Sequence, residues 1–145
     1  MITINTTTAA RSQAHVGQAM HVGLVSCAVE TPLLSVARIL AGHRVHCVVV
    51  FDRGSEADEA RLLWGIVSDR DVAAAVAAGA IDDQTAGSVA AEPLVTVSPA
   101  ESLERAAQLM AEHGVGHLVV LDPRTHRPVG VISTLDIARV VSDLG

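Results

Sequence analysis

Apolar residues along this chain fall into two alternating patterns: short unbroken aliphatic runs, and longer stretches with three-and-four spacing. The first pattern predicts buried strands and the second predicts helices with one buried face. Residues 1–14 show neither pattern and are expected to form a flexible, Thr-rich leader. Val16 to Met20 predicts at most a short turn of helix, and Leu24-Val25-Ser26 a brief strand. Thr31-Pro32 predicts a helix start, with threonine as N-cap and proline at the first helical position. That helix is expected to run to about His43, with Leu33, Val36, Ala37, Ile39 and Leu40 on one face. Val45 to Phe51, with four valines in seven residues, predicts a strand buried on both faces. A charged loop from Arg53 to Arg61 then leads to a strand over Leu62 to Val67, and a helix from Ser68 to about Ala78 that Gly79 stops.

The whole succession then recurs. Leu33 corresponds to Leu103 at an offset of 70 positions, and Leu94-Val95-Thr96 repeats Leu24-Val25-Ser26. Ser98-Pro99 with Glu101 predicts a capping box, followed by a helix with Leu103, Ala106, Ala107, Leu109 and Met110 on one face and a stop near Gly114. Val115 to Asp122 matches Val45 to Asp52. Further on the offset falls to 65, so the first copy carries five more residues, which fall in the Arg53 to Arg61 loop where insertion costs little. Each copy reads strand, helix, strand, strand, helix. A half-chain of this size buries too little surface to be comfortable alone, so the two copies are expected to pack together by their sheets about a pseudo-twofold axis.

The offset of 65 aligns one motif with itself: Gly65-Ile66-Val67-Ser68-Asp69-Arg70-Asp71 and Gly130-Val131-Ile132-Ser133-Thr134-Leu135-Asp136. Each is a strand end that turns directly into a helix. One reading is a capping box, in which the serine accepts from a first-turn amide and the acid three residues on reaches back. The other uses the same geometry for a ligand: free amides and a hydroxyl at a helix N-terminus attract an anion, and the carboxylate takes sugar hydroxyls.

Composition narrows the chemistry. With 145 residues, 50% hydrophobic and 18% charged, the chain has a globular balance, and no apolar run approaches the length of a membrane span. A cytoplasmic protein is the expectation, with Cys27 and Cys47 as reduced, core-packed thiols. A net charge of −6 without a basic patch argues against a nucleic-acid partner. All ten basic residues are arginine and tyrosine is absent, which removes Walker-type phosphate binding, Schiff-base chemistry and a tyrosine acid. No serine stands in a nucleophile-elbow sequence, and an enzyme is not expected. His43, His46 and Cys47, or His113 and His117, lack structural-zinc spacing, and the Gly114 stop breaks the one-face geometry of the second pair, so no metal site is expected.

The opening run Val16-Gly17-Gln18-Ala19-Met20, the run Ser98-Pro99-Ala100-Glu101-Ser102-Leu103, the strand Val115-Gly116-His117-Leu118-Val119-Val120 and both Gly-x-x-Ser-x-x-Asp motifs together resemble a tandem pair of CBS domains, the arrangement often called a Bateman module. The resemblance covers about Val16 to Leu144. It implies a mixed α/β fold of the α+β type, with two β-α-β-β-α repeats over residues 15–80 and 81–145 after a leader over 1–14.

What it implies for function is a stand-alone regulatory module that senses adenosine-containing small molecules, AMP or a related nucleotide, in clefts between the repeats. In such modules the motif Asp holds the ribose hydroxyls, the Ser or Thr approaches the phosphates, and backbone around the first strand reads the adenine edge. Those roles fall here to Asp71 with Ser68, to Asp136 with Ser133, and to Val25, Ser26, Val95 and Thr96. Where the middle strand often starts with basic residues that meet phosphate, this chain has His46 and Cys47 in one copy and Gly116 and His117 in the other, with Arg44 or Arg70 as possible helpers. With aromatics nearly absent, Val45, Val67, Val115 and Ile132 are the expected walls for a purine. The alternative is a homodimerisation scaffold in which both motifs are only caps. A homodimer is expected either way, since Ala- and Val-rich helices such as Val72 to Ile81 leave an apolar face to cover, and a separate effector protein would supply the output. Asp rather than the usual Glu or Gln at the end of both motifs favours the ligand reading.

Overall fold

In the computed structural model, which describes residues 13–52, 62–90 and 94–144, the elements follow in the order α1 (Val16–Ala19), β1 (His21–Val22), β2 (Ser26–Ala28), α2 (Leu33–His43), β3 (Cys47–Asp52), β4 (Leu62–Ser68), α3 (Asp69–Ala77), α4 (Ala86–Val89), β5 (Thr96–Val97), α5 (Leu103–His113), β6 (His117–Leu121), β7 (Pro128–Ser133) and α6 (Thr134–Leu144). The expected succession therefore appears twice, as β2-α2-β3-β4-α3 and β5-α5-β6-β7-α6, in a mixed α/β fold whose two repeats form two small sheets. Most of the expected leader and the whole Arg53 to Arg61 loop, with its five extra residues, lie outside the described residues.

The first-motif unit comprises residues 24–94 and has the sheet order β2-β3-β4. β2 runs parallel to β3, with α2 as the crossover, and β4 returns antiparallel. Leu33, Val36 and Leu40 of α2 meet Val48 and Val50 of β3, Val67 of β4 and Ala75 of α3. The second-motif unit joins residues up to 23 with those from 95 onward, in the sheet order β1-β7-β6-β5. Its core places Leu103, Ala106 and Met110 of α5 against Leu118 and Val120 of β6, Ile132 of β7, and Val16 of α1. Each fully buried aliphatic side chain contributes about 1.5–3 kcal/mol. Val48, Val49 and Val50 are all buried, as are Leu118, Val119 and Val120, which is the both-face burial that the β-branched runs foretell.

Two expected helix starts are displaced. Thr31 is not the cap of α2, since Pro32 holds the N-cap position without a side-chain cap and the helix begins at Leu33. Ser98-Pro99 does not open α5 either. Ser98 closes a tight turn through its backbone and hydroxyl, and Ser102 caps the helix by accepting from Arg105 N at 3.0 Å. At their ends the two helices match again, with Gly114 and its counterpart Arg44 both left-handed, at φ 63° and 54°. The strands also begin slightly later than the apolar runs, so Val25 and Val95 sit just ahead of β2 and β5.

The displaced starts have a common cause: the backbone groups ahead of each helix are occupied by a segment distant in sequence. Val16 N donates to Glu101 O at 2.9 Å, Gly17 N to Pro99 O at 2.9 Å, and Leu103 N to Ala14 O at 2.9 Å. Seventy positions along, Ala86 N donates to Thr31 O at 2.8 Å, Gly87 N to Val29 O at 2.8 Å, and Leu33 N to Gln84 O at 3.0 Å. The same clasp is thus made twice, and each time the segment that opens one sequence repeat docks on the helix start of the other repeat. A Cβ on Gly87 would lie 2.9 Å from the Val29 side chain, and one on Gly17 would lie 3.2 Å from Pro99 O, so glycine permits both close approaches. The packing units consequently do not coincide with the sequence halves 15–80 and 81–145.

Candidate functional site

Parallel pairing of β2 with β3 and antiparallel return of β4 bring the starts of β2 and β3 and the end of β4 to one edge of the first sheet. Ser26 lies opposite Val49, Cys47 lies opposite Ser68, and the carbonyl of Val25 accepts from Val49 N at 2.9 Å. The candidate residues Val25, Ser26, His46, Cys47, Ser68 and Asp71 therefore share that edge. The second sheet repeats the arrangement with Thr96 opposite Val119 and His117 opposite Ser133, which gathers Val95, Thr96, Gly116, His117, Ser133 and Asp136.

Both motifs are completed capping boxes. Asp71 Oδ2 accepts from Ser68 N at 2.8 Å and from Ser68 Oγ at 3.0 Å, and Asp71 N donates back to Ser68 Oγ at 3.3 Å. The corresponding distances at Ser133 and Asp136 are 2.8, 2.9 and 3.2 Å. Asp69 N is also taken, by His46 O at 3.0 Å, and Thr134 N by Gly116 O at 3.0 Å. This corrects the expectation of free amides for an anion: of the four amides from Ser68 to Asp71, those of Ser68, Asp69 and Asp71 already have acceptors.

The boxes leave the outer carboxylate oxygens as the informative atoms. Asp71 is half-buried, its Oδ2 is fixed by the box, and Oδ1 has no partner among the described residues. Asp136 is 2% exposed, and its Oδ1 lies 2.6 Å from His21 Nε2 and 3.7 Å from Arg139 Nη1. His21 was not among the sequence candidates. It sits on β1, which pairs antiparallel with β7 so that His21 lies opposite Val131 and Val22 opposite Gly130. A Cβ on Gly130 would collide with the carbonyl oxygen of His21, so the first glycine of this motif is what lets β1 lie there. Ala91 stands at the position equivalent to His21 in the other opening segment.

The remaining candidates divide. His46 Nδ1 lies 2.8 Å from Asp69 Oδ2, and both side chains are exposed, so this imidazole already has a carboxylate partner. Val67 and Ile132 are fully buried in the cores of their units and are not available as purine walls; Val45 and Val115 are only half-buried. Neither Cys27 nor Cys47 is in a disulfide, and burial pushes the Cys27 thiol up, against a smaller opposing hydrogen bond with Thr31. Among the described residues no three His, Cys, Asp or Glu side chains group as a metal-ligand set, and no helix is long and apolar enough to cross a membrane.

Comparison with known proteins gives this geometry a family. The family model of the CBS domain matches residues 16–78 and 86–143. A CBS domain-containing protein of Bacillus subtilis, YhcV, is 34% identical over 103 residues, spanning 70% of this chain and 67% of that protein. Among solved structures, the CBS domain protein PAE2072 of Pyrobaculum aerophilum, complexed with AMP, is 26% identical with a TM-score of 0.72, covering 89% of this chain and 98% of its own. The CBS domain pair of protein MJ0100, in complex with 5′-methylthioadenosine and S-adenosyl-L-methionine, is 20% identical with a TM-score of 0.77, covering 91% and 98%.

Proposed function

The chain belongs to the CBS domain family, with two CBS domains over residues 16–143, and from that premise we propose that it is a non-catalytic regulatory module that senses an adenosine-containing small molecule such as AMP. The observation that carries this reading is the half-free carboxylate of Asp71. Its own capping box pins Oδ2 to Ser68, and this leaves Oδ1 oriented to accept from a ribose hydroxyl. Ser26 and the backbone of Val25 on the same sheet edge would meet the adenine, with half-buried Val45 as an aliphatic wall, while Ser68, His46 and Cys47 stand nearest the phosphate end. Ser133, Val95, Thr96, Gly116 and His117 would take the matching parts around Asp136. The adenosyl ligands bound by the similar structures support the ligand class.

Phosphate recognition is the weaker half of this site, because the amides of Ser68, Asp69 and Asp71 and the Ser68 Oγ are already engaged and His46 is held on Asp69. A phosphate must recruit His46 away from Asp69 or rely on Arg70, so the nucleoside part supplies most of the recognition. A homodimer fits the exposed apolar side chains Val76, Leu135 and Val141 on α3 and α6, which a second copy would cover. The completed boxes themselves favour the second reading, a self-association scaffold whose motifs only cap helices.

Thermal denaturation with AMP, adenosine, 5′-methylthioadenosine and S-adenosylmethionine separates the two. A ligand that binds only the folded chain stabilises it by about 2.7 kcal/mol at a hundredfold excess over its dissociation constant. At least one of these compounds is expected to raise the melting temperature, and Asp71→Ala to abolish most of that rise. No shift with any of the four, in protein that native mass spectrometry finds free of copurified ligand, would leave the scaffold.

A further inference from the structure

We infer that the two motif carboxylates are unequal sites and that His21 is the residue that makes them so: its imidazole occupies Asp136 Oδ1, the atom a ribose hydroxyl needs, while Asp71 Oδ1 stays open. This rests on the adenosyl reading of the motifs and specifies how the two sites are regulated.

Three observations converge on it. The box fixes Oδ2 of each Asp in the same way, so a ligand hydroxyl has only Oδ1 to approach. At Asp136 that oxygen lies 2.6 Å from Nε2 of His21, a contact that is an ion pair when the imidazole is protonated. The His21 side chain is itself 63% exposed while that of Asp136 is 1% exposed, so the imidazole sits on the solvent side of the carboxylate. The first motif has no such partner among the described residues, and alanine occupies the equivalent sequence position, Ala91.

A ligand at Asp136 must therefore exchange an imidazole donor on a carboxylate for a neutral hydroxyl, whereas a ligand at Asp71 displaces no protein donor. A hydroxyl on the carboxylate is charge-assisted at either site, so the difference is the imidazole contact given up at Asp136; a contact of that class is worth roughly one to two powers of ten in an equilibrium constant, and Asp136 is expected to bind about tenfold to a hundredfold more weakly than Asp71. Because His21 is mostly exposed, rotation of one side chain is enough to open the site. The opening segment thus acts as a built-in competitor for one of two otherwise matching sites, and the sites fill in order as ligand concentration rises.

The test is calorimetric titration of the full chain with adenosine and with AMP, using 2′,3′-dideoxyadenosine as the probe that lacks the hydroxyls. In an Asp71→Ala background only the Asp136 site remains. Adding His21→Ala is expected to tighten adenosine there about tenfold to a hundredfold, His21→Gln less because its amide still donates, and dideoxyadenosine to gain nothing. Further addition of Asp136→Ala should abolish the gain. Unchanged affinity in His21→Ala, with the Asp71 site of the parent chain binding normally, would overturn the role of His21 and leave the sensor reading intact. So would two equal sites in the parent chain. Absence of binding in the parent chain and in every variant would remove the sensor reading, and this inference with it. His21→Gln keeps the test decisive if the alanine variant unfolds, since it retains a donor to Asp136.

Discussion

Asp136→Ala is expected to lower folding stability by about 2–4 kcal/mol and Asp71→Ala by only about 1 kcal/mol, although the two residues close identical motifs. Each substitution removes the acid from a capping box, which accounts for the smaller figure. Asp136 is in addition almost wholly buried and receives His21, so its loss leaves the Ser133 donors unsatisfied beside the core and frees the strand that His21 tethers. Leaving buried donors without their acceptor costs about 1–3 kcal/mol beyond the cap itself. Reading both residues from the sequence alone gives them equal, small effects on the fold; burial separates them. Urea denaturation of the two variants, monitored by Trp64 fluorescence and by circular dichroism, measures the difference. Equal losses would mean that the His21 contact contributes nothing to the native state.

Gly130→Ala is expected to cost about 1–3 kcal/mol and to detach β1, because the new methyl group would collide with the backbone oxygen of His21 and lie 3.3 Å from Met20 Sδ. No rotamer change relieves a clash with a main-chain atom, so β1 itself has to move. That movement carries His21 off Asp136, which ties the effect to the second motif. Gly116→Ala is the internal control: the nearest atoms to its Cβ are those of Thr134 at 4.0 Å, an ordinary contact, and a change within about 0.5 kcal/mol is expected. Hydrogen exchange at the β1 and β7 amides should rise in the first variant and stay level in the second. If the two glycines prove equally tolerant, β1 is not held as described.

The parts of the fold that were legible in the sequence are those that a local pattern determines. Leu33, Val36 and Leu40, and their counterparts Leu103, Ala106 and Met110, announce a helix face by spacing alone, and each triplet is buried. The run from Val48 to Val50 and the one from Leu118 to Val120 likewise announce fully buried strands. Gly79 and Gly114 end their helices in left-handed conformations, as the residue type requires. The helix starts that Thr31 and Ser98 predict are displaced because the groups that set them, Gln84 O and Ala14 O, come from far along the chain. The role of His21 is hidden from the sequence for the same reason. It lies within the opening of the first repeat by position, yet its carboxylate partner closes the second, and nothing in the local spacing joins residue 21 to residue 136. Asp71 and Ser68 were legible as a pair three residues apart; whether their donors and acceptors were free was not, since that depended on a box that closes on itself.

The exchanged opening segments also set an order on synthesis. The first-motif unit is drawn from one continuous stretch, Leu24–Leu94, so the nascent chain can complete its sheet and its Gly87 clasp as soon as Leu94 has emerged. The second-motif unit cannot close at that moment. Its strand β1 is made well before Gly130 and Val131, the residues with which it pairs. At about 5–20 residues per second, β1 waits several seconds before its partner leaves the ribosome. Chains stalled just after Leu94 is exposed should resist protease across the first unit and be cut at residues 13–22, a pattern that simultaneous folding of both units would not give. Until β7 arrives His21 has no carboxylate to hold, and the inequality between the two motifs forms only after the first-motif unit is complete.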